Sequence, residues 1–105
     1  MIETLKKIFG IGPSVDYSQL VKNGAVILDV RTKREYAGGH IKGSINIAVD
    51  QLTNNLHRFK NKEQALITCC ASGMRSSSAK NILKSNGYTQ VHNGGSWNSL
   101  KQKLN

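Results

Sequence analysis

Continuous apolar segments rich in β-branched residues alternate along this chain with polar or amphipathic segments. Residues 25–30 and 65–70 have the uninterrupted apolar character of strands that are buried on both faces, and residues 44–48 and 88–92 predict two further short strands. The segments between them are predicted to be helical. Strands that alternate with helices predict an α/β domain in which helices cover both faces of a parallel sheet.

The helices are indicated by capping residues and by apolar residues at helical spacing. The predicted helices lie, in chain order, at 16–22, 31–36, 50–59, 76–86 and from Ser96 onward. Apolar residues near the start of the chain predict one more helix. We therefore assign residues 1–13 to an N-terminal helix and linker, and residues 14–105 to the main domain.

The charge balance limits the classes of partner. Fifteen Lys and Arg residues oppose six Asp and Glu residues, and the formal net charge of +9 favours anionic partners. The positive residues are spread along the chain and only 6% of the residues are aromatic, so we expect no nucleic-acid partner. No apolar run approaches the ~18 residues of a membrane span. We expect a cytoplasmic protein without a membrane partner, in which thiols stay reduced.

The two cysteines, Cys69 and Cys70, are neighbours. Adjacent cysteines close no useful loop, and they lack the C-x-x-C spacing of zinc and thioredoxin sites, so neither a disulfide scaffold nor a metal site is expected. Side chains alternate between the two faces of a strand. This alternation points the two thiols in opposite directions and predicts that Cys69 packs in the core.

Cys70 ends a predicted buried strand, and the segment Cys70-Ala-Ser-Gly-Met-Arg-Ser76 leads from it into a helix. At this edge of an α/β sheet a thiol meets the N–H groups of the loop and of the first helical turn, which favour a thiolate. Gly73 permits a positive φ, and Arg75 adds a charge that can hold an oxyanion. The prediction requires that the amides from Ala71 to Ser76 point at the sulfur and that solvent reaches it.

This segment resembles the active-site loop of the rhodanese-like sulfurtransferases, and the chain is similar to the single-domain thiosulfate sulfurtransferase type. Other motifs of that family occur in the expected order: Leu28-Asp-Val-Arg31, Glu35-Tyr36, Gly39-His-Ile-Lys-Gly-Ser-Ile-Asn46, Gly87-Tyr88 and Asn93-Gly-Gly95. The resemblance extends from Val15 to Leu100. It implies a three-layer α/β/α fold whose central parallel sheet has about five strands. Ala71 departs from the family pattern, which often has Arg or Lys there.

The resemblance also implies residue roles. Cys70 would be the nucleophile that holds the transferred sulfur as a persulfide, and Arg75 would order the loop and favour anionic substrates. The residues that would bind the substrate are Ala71, Ser72, Gly73, Met74 and Ser76. The residues that would support the loop, with a buried ion pair among them, are Asp29, Arg31, Glu35, His40 and Asn46. The implied reactants are a small anionic sulfur donor such as thiosulfate and a cyanide or thiol acceptor, with a protein donor or acceptor also compatible; no cofactor is implied.

Two alternative functions remain open from the sequence. Counting from Cys69 gives a Cys-x5-Arg pattern that ends at Arg75, the spacing of cysteine phosphatases and some arsenate reductases. Phosphate ester cleavage profits from a general acid, for which Asp50 is the best candidate, whereas sulfite leaves thiosulfate as a stable anion, so sulfur transfer is favoured. In the second alternative, the protein is a non-catalytic module that carries a persulfide received from a partner protein.

Overall fold

A computed structural model gives the structure of the protein and describes residues 15–104. The predicted N-terminal helix and linker, residues 1–13, lie outside the described residues. The elements follow in the order α1 (Tyr17–Lys22), β1 (Val26–Asp29), α2 (Lys33–Ala37), β2 (Ile45–Asn46), two 3₁₀ helices (Val49–Gln51 and Thr53–Arg58), β3 (Leu66–Cys70), α3 (Met74–Ser85), β4 (Val91–Ser96) and α4 (Trp97–Lys103).

Side-chain caps explain where three of the short helices begin. Asp16 accepts a hydrogen bond from the Gln19 N–H at the start of α1, and Ser96 caps α4 in the same way. At α2, Thr32 and Glu35 form a capping box in which each side chain accepts from the other residue's backbone N–H. These caps fix helix starts at positions that the sequence predicts for α1 and α4.

The strands form one parallel sheet in the order β2-β1-β3-β4. All four carboxyl ends therefore meet at the same edge, where Asp29, Asn46, Cys70 and Ser96 end their strands. The predicted α/β class with a parallel central sheet is confirmed. Within residues 15–104 the sheet has four strands, where the family resemblance implied about five.

The hydrophobic core is divided between the two faces of the sheet, as a three-layer fold requires. On one face the 3₁₀ helices and α3 bury a cluster that includes Leu28, Leu52, Phe59, Leu66, Cys70, Ala79 and Leu83. On the other face α1 and α4 cover a cluster made of Ile27, Ile41, Ile67, Cys69 and Leu100. Among the described residues, no helix is long and apolar enough to cross a membrane.

Two elements differ from their predictions. The segment predicted as a helix at 50–59 forms two 3₁₀ helices, although its apolar residues point into the core as expected. The last strand lies at Val91–Ser96 rather than 88–92. Tyr88 is buried before the strand begins, and its hydroxyl lies within hydrogen-bond distance of the carbonyls of Leu56 and Phe59. The strand instead continues through Gly94, where a Cβ would lie 2.9 Å from Ile67 Cγ2.

Candidate active site

The candidate site lies at the carboxyl edge of the sheet, where β3 ends at Cys70 and α3 begins four residues later. The connecting residues turn at Gly73, whose φ of 102° lies in the left-handed region that favours glycine. The neighbouring strand β4 pairs with β3 through Cys70 and Ser96. This arrangement brings a loop, a helix N-terminus and the end of a second strand together around one thiol.

The Cys70 sulfur takes the place of a helix cap. Helix α3 has no side-chain cap at Gly73, so the N–H groups of its first turn lack that partner. The Ser76 N–H instead points at Cys70 Sγ at 3.4 Å, and the Gly73 N–H donates to the same sulfur at 3.0 Å. The Ser76 hydroxyl oxygen lies 3.5 Å from the sulfur. Two backbone N–H groups therefore point at one atom, whereas the prediction named all the amides from Ala71 to Ser76.

These contacts decide the ionisation of Cys70. Burial favours the neutral thiol, but hydrogen bonds from the Ser76 side chain and from the N–H groups of Ser76, Gly73 and Ser72 outweigh it, so the pKa of Cys70 is lowered from its ordinary value. A hydrogen bond to a charged group contributes ~1.5–3 kcal/mol, more than the ~0.3–1 kcal/mol of the helix dipole. The amides thus account for more of the effect than the helix end does.

Access to the sulfur differs from the prediction. Cys70 is 0% exposed, although the loop residues above it, Ala71 and Ser72, are exposed and Met74 is 78% exposed. The expectation that solvent reaches the sulfur is therefore not met in this conformation. Attack by Cys70 on a reactant requires the residues that surround Sγ to move.

Arg75 is engaged by a carboxylate from another helix. Its Nη1 and Nη2 atoms donate to Glu35 Oε1 and Oε2 at 2.6 and 2.9 Å, and both side chains are about one-third exposed. The Arg75 hydrogen bonds, followed by the Thr32 N–H, lower the pKa of Glu35 to about 2. Arg75 therefore links the loop to α2, and an anionic substrate would have to displace Glu35 to reach both nitrogens.

The predicted buried ion pair forms between Asp29 and Arg31, and the Glu35 side chain takes no part in it. Arg31 Nη2 donates to Asp29 Oδ2 at 2.8 Å and to the Gly39 carbonyl at 2.7 Å, and both charged side chains are buried. The guanidinium also lies 4.6 Å from the centre of the Trp97 ring. This pair holds the turn after β1 against the start of α4.

The two remaining support residues make local contacts. Asn46 Nδ2 donates to the carbonyls of Asp29 and Arg31 at 3.0 and 2.9 Å and so ties β2 to the end of β1. His40 is exposed, stacks on Tyr36 with 3.7 Å between ring centres, and has its Nδ1 2.8 Å from the Tyr36 carbonyl oxygen. Within residues 15–104, neither side chain forms a hydrogen bond with Cys70.

Asn93 belongs to the site, although sequence reasoning gave it no role beyond the Asn93-Gly-Gly95 motif. Its Oδ1 accepts hydrogen bonds from Ser76 Oγ at 2.6 Å and from the Gly95 N–H at 2.9 Å, and its Nδ2 donates to the Gly73 carbonyl at 3.4 Å. The signal available in the sequence was its place directly after the predicted strand 88–92, at the edge of an α/β sheet where ligands bind.

Cys69 is separate from this site. It packs on the opposite face of the sheet among Ile27, Ile67 and Leu100, and burial raises the pKa of its thiol to about 12. A thiol with that pKa is not a nucleophile near neutral pH. The Cys69-x5-Arg75 register therefore lacks a thiolate in the loop that Arg75 belongs to, and the structure gives the phosphatase alternative no support.

The arrangement is suited to covalent chemistry on sulfur. A thiolate at Cys70 is stabilised by fixed N–H groups, and the same groups can hold negative charge on a sulfur bonded to it. No group of His, Cys, Asp and Glu within residues 15–104 is arranged to hold a metal ion.

Comparisons with known proteins agree with this chemistry. The profile described as "Rhodanese-like domain" matches residues 15–103. The thiosulfate sulfurtransferase GlpE of Ectopseudomonas mendocina is 34% identical over 77 residues, which cover 70% of this chain and 67% of GlpE. The structure of the human single-domain sulfurtransferase TSTD1 superposes with a TM-score of 0.72 at 30% identity and covers 83% of this chain and 89% of TSTD1. The uncharacterised Bacillus subtilis protein YqhL is 33% identical over 69 residues, and this chain spans 54% of its length.

Proposed function

This chain belongs to the rhodanese-like domain family, and on that basis we propose that it is a sulfurtransferase in which Cys70 carries the transferred sulfur as a persulfide. The observation that carries the proposal is the convergence of the Gly73 and Ser76 N–H groups on Cys70 Sγ. The substrate class is a small anionic sulfur donor such as thiosulfate, with cyanide or a thiol as acceptor. The family includes proteins named thiosulfate sulfurtransferase that are 33% and 34% identical to this chain over 69 and 77 aligned residues.

The first half-reaction transfers sulfur to the protein. The Cys70 thiolate attacks the outer sulfur of thiosulfate, a bond forms between Sγ and that sulfur, and the sulfur–sulfur bond of the donor breaks. The electron pair of the broken bond leaves with sulfite, which is already a stable anion, so no proton has to be delivered. The N–H groups of the loop then hold the negative charge of the persulfide.

The second half-reaction returns Cys70 to its starting state. Cyanide attacks the outer sulfur of the persulfide, the new carbon–sulfur bond gives thiocyanate, and the electron pair of the broken S–S bond stays on Sγ as the thiolate. A thiolate acceptor reacts in the same way and leaves as a persulfide. Cys70 is regenerated as a thiolate, and the transferred sulfur keeps its oxidation state as it passes from donor to acceptor, so neither an oxidant nor a reductant is consumed.

A second function, a persulfide carrier that receives sulfur from a partner protein, is favoured by one observation. Both outer nitrogens of Arg75 are held by Glu35, and Ala71 supplies no positive charge, so the loop offers free thiosulfate few cationic contacts. Cys70 is required in both functions. They differ in whether free thiosulfate is turned over, and the overall charge of +9 attracts anionic donors in either case.

The test uses the full chain and two matched variants, Cys70→Ala and Cys69→Ala. After incubation with thiosulfate, the wild type and Cys69→Ala are expected to gain one sulfur, about 32 Da by intact mass, which cyanide removes, whereas Cys70→Ala gains none. Steady-state formation of thiocyanate then separates an enzyme from a carrier. Mass gain in Cys70→Ala that is lost in Cys69→Ala, or phosphate ester hydrolysis that depends on Cys69, would overturn the proposal.

A further inference from the structure

The Ser76 hydroxyl has one proton and three neighbouring acceptors. Its oxygen lies 2.6 Å from Asn93 Oδ1, 3.1 Å from the Gly73 carbonyl oxygen and 3.5 Å from Cys70 Sγ. The side-chain amide of Asn93 is oriented by its other contacts, since Oδ1 accepts from the Gly95 N–H and Nδ2 donates to the Gly73 carbonyl. Asn93 therefore presents an acceptor to Ser76, and it is the closest of the three.

The protonation state of Cys70 determines which acceptor the Ser76 hydroxyl proton is donated to. A neutral Cys70 thiol can donate its own hydrogen to Ser76 Oγ, while the hydroxyl donates to Asn93. When Cys70 ionises, its sulfur becomes a charged acceptor, and a hydroxyl turned toward it contributes a stronger hydrogen bond than a neutral pair does. One hydroxyl proton cannot serve both partners, so the bond to Asn93 opposes the bond to the thiolate.

We propose that Asn93 is a positioning residue that holds the Ser76 hydroxyl away from Cys70 and thereby restrains the formation of the thiolate. The inference deepens the proposed function, since it concerns the thiolate on which sulfur transfer depends. Cys70 ends β3, Ser76 lies in the first turn of α3 and Asn93 lies within β4, and Ser76 is fully buried. Thr68 Oγ1 also donates to the Ser76 carbonyl at 2.9 Å and keeps this turn of α3 fixed while the hydroxyl rotates.

The other groups around Cys70 are the same in every variant of the test. Arg75 on α3 and Cys69 on β3 are the titratable groups coupled electrostatically to Cys70. From β4, the uncharged residues Asn93 and Ser96 lie beside it. A change of Asn93 to an apolar residue therefore alters no charge near the sulfur, and its effect reports on hydrogen bonding.

The experiment is a double-mutant cycle on the full chain, with thiolate formation followed by ultraviolet absorbance against pH and Cys70→Ala as the blank. Ser76→Ala removes the hydroxyl donor, so the Cys70 midpoint is expected to rise by about one pH unit. Asn93→Leu removes the nearer of the two acceptors that compete with Cys70, the other being the Gly73 carbonyl at 3.1 Å, so the midpoint is expected to fall. The double variant is expected to match Ser76→Ala, because Asn93 acts through the hydroxyl.

If Asn93 instead favoured the thiolate, the midpoint of Cys70 would shift in the opposite direction. If Asn93 only anchors the loop through its bond to the Gly73 carbonyl, Asn93→Leu raises the midpoint and does so equally with and without Ser76; that result, or no shift at all, overturns the proposal. Asn93→Ala is the second variant should Asn93→Leu fail to fold, and a fall in the midpoint is expected again. The titration does not involve a sulfur donor. If the protein failed to transfer sulfur, the pH titration would still give the same midpoints. Failure of the proposed function is therefore distinguishable from failure of the role proposed for Asn93.

Discussion

Arg75 and Glu35, which are 40 residues apart in the sequence, form a two-point ion pair that joins the first turn of α3 to the first turn of α2. The pair turns Arg75 from a free cation into a link between the active-site loop and a second helix. Glu35 has two functions in this arrangement, because the same carboxylate also accepts from Thr32 in the capping box of α2.

Removing the Glu35 carboxylate is expected to destabilise the fold slightly and in a pH-dependent way. Because the folded-state pKa of Glu35 is about 2, below the ~4.3 of an unfolded chain, the ion pair stabilises the protein fully above about pH 4.3 and loses this effect as the pH falls toward 2. Glu35→Gln should cost about 0.5–1.5 kcal/mol at neutral pH, since the pair is partly exposed and the capping box is also weakened.

Urea unfolding at about pH 7 and about pH 2.5 measures this difference. Glu63→Gln is the matched control, because it removes the same charge from an exposed residue. The control should change stability by less than ~0.5 kcal/mol at either pH. Equal losses in both variants, or a Glu35→Gln cost that grows at acid pH, would contradict the role given to the pair.

Substitution of Gly73 is expected to affect both the stability of the fold and the pKa of Cys70. Gly24, which has a similar positive φ, provides a control that distinguishes the two effects. Gly73 and Gly24 have φ values of 102° and 101°, and an added Cβ meets no close contact at either position. Each Gly→Ala change is expected to cost about 1–2 kcal/mol, because L-residues are strained in the left-handed region. Only Gly73→Ala should raise the pKa of Cys70, since only this turn places an N–H on the sulfur.

Thermal unfolding measures the first effect, and the pH dependence of alkylation of Cys70 measures the second. If Gly24→Ala shifts the Cys70 profile as much as Gly73→Ala does, the shift follows from lost stability and not from the lost N–H contact.

The sequence predicts the layers of this fold better than it predicts the contacts within the site. Periodicity alone separates Cys69 from Cys70, and the structure places them on opposite faces. By contrast, the pairing of Arg75 with Glu35 depends on how α2 and α3 pack, and no local pattern contains that information. For the 50–59 segment, spacing identifies the buried residues but does not distinguish an α-helix from 3₁₀ turns.

The glycines of β4 illustrate a second limit. A Gly-Gly pair ordinarily predicts a turn, yet Gly94 lies within the strand because Ile67 and Leu100 leave no room for a side chain there. Because β4 continues through these glycines, Asn93 lies within the strand and beside Ser76. The contacts of Asn93 depend on this continuation of the strand, which the predicted bounds of 88–92 leave out.

The buried pair of Asp29 and Arg31 is expected to tolerate even a conservative change poorly. A lysine at position 31 keeps the charge but loses the forked contact with Asp29, the bond to the Gly39 carbonyl and the stacking on Trp97. Arg31→Lys should therefore lower the free energy of unfolding by about 2–4 kcal/mol. Arg34→Lys, at an exposed position of α2, should change it by less than ~0.5 kcal/mol. Urea unfolding followed by circular dichroism compares them, and similar losses in the two variants would contradict a structural role for the pair.

The two cysteines should differ sharply toward an alkylating reagent, and the single variants allow each to be observed alone. In Cys69→Ala the remaining Cys70 has a lowered pKa and lies at the carboxyl edge of the sheet, so iodoacetamide should modify it at about pH 7 in the folded protein. In Cys70→Ala the remaining Cys69 lies in the core with a pKa of about 12, so it should stay unmodified until urea unfolds the chain.

Intact mass spectrometry over time gives the alkylation rates of both cysteines. Because Cys70 is also 0% exposed, its reaction requires the residues around Sγ to move, and its rate should fall short of that of a free thiolate while remaining far above that of Cys69. Comparable rates in the two folded variants would show that burial, and not the hydrogen bonds of the loop, governs Cys70.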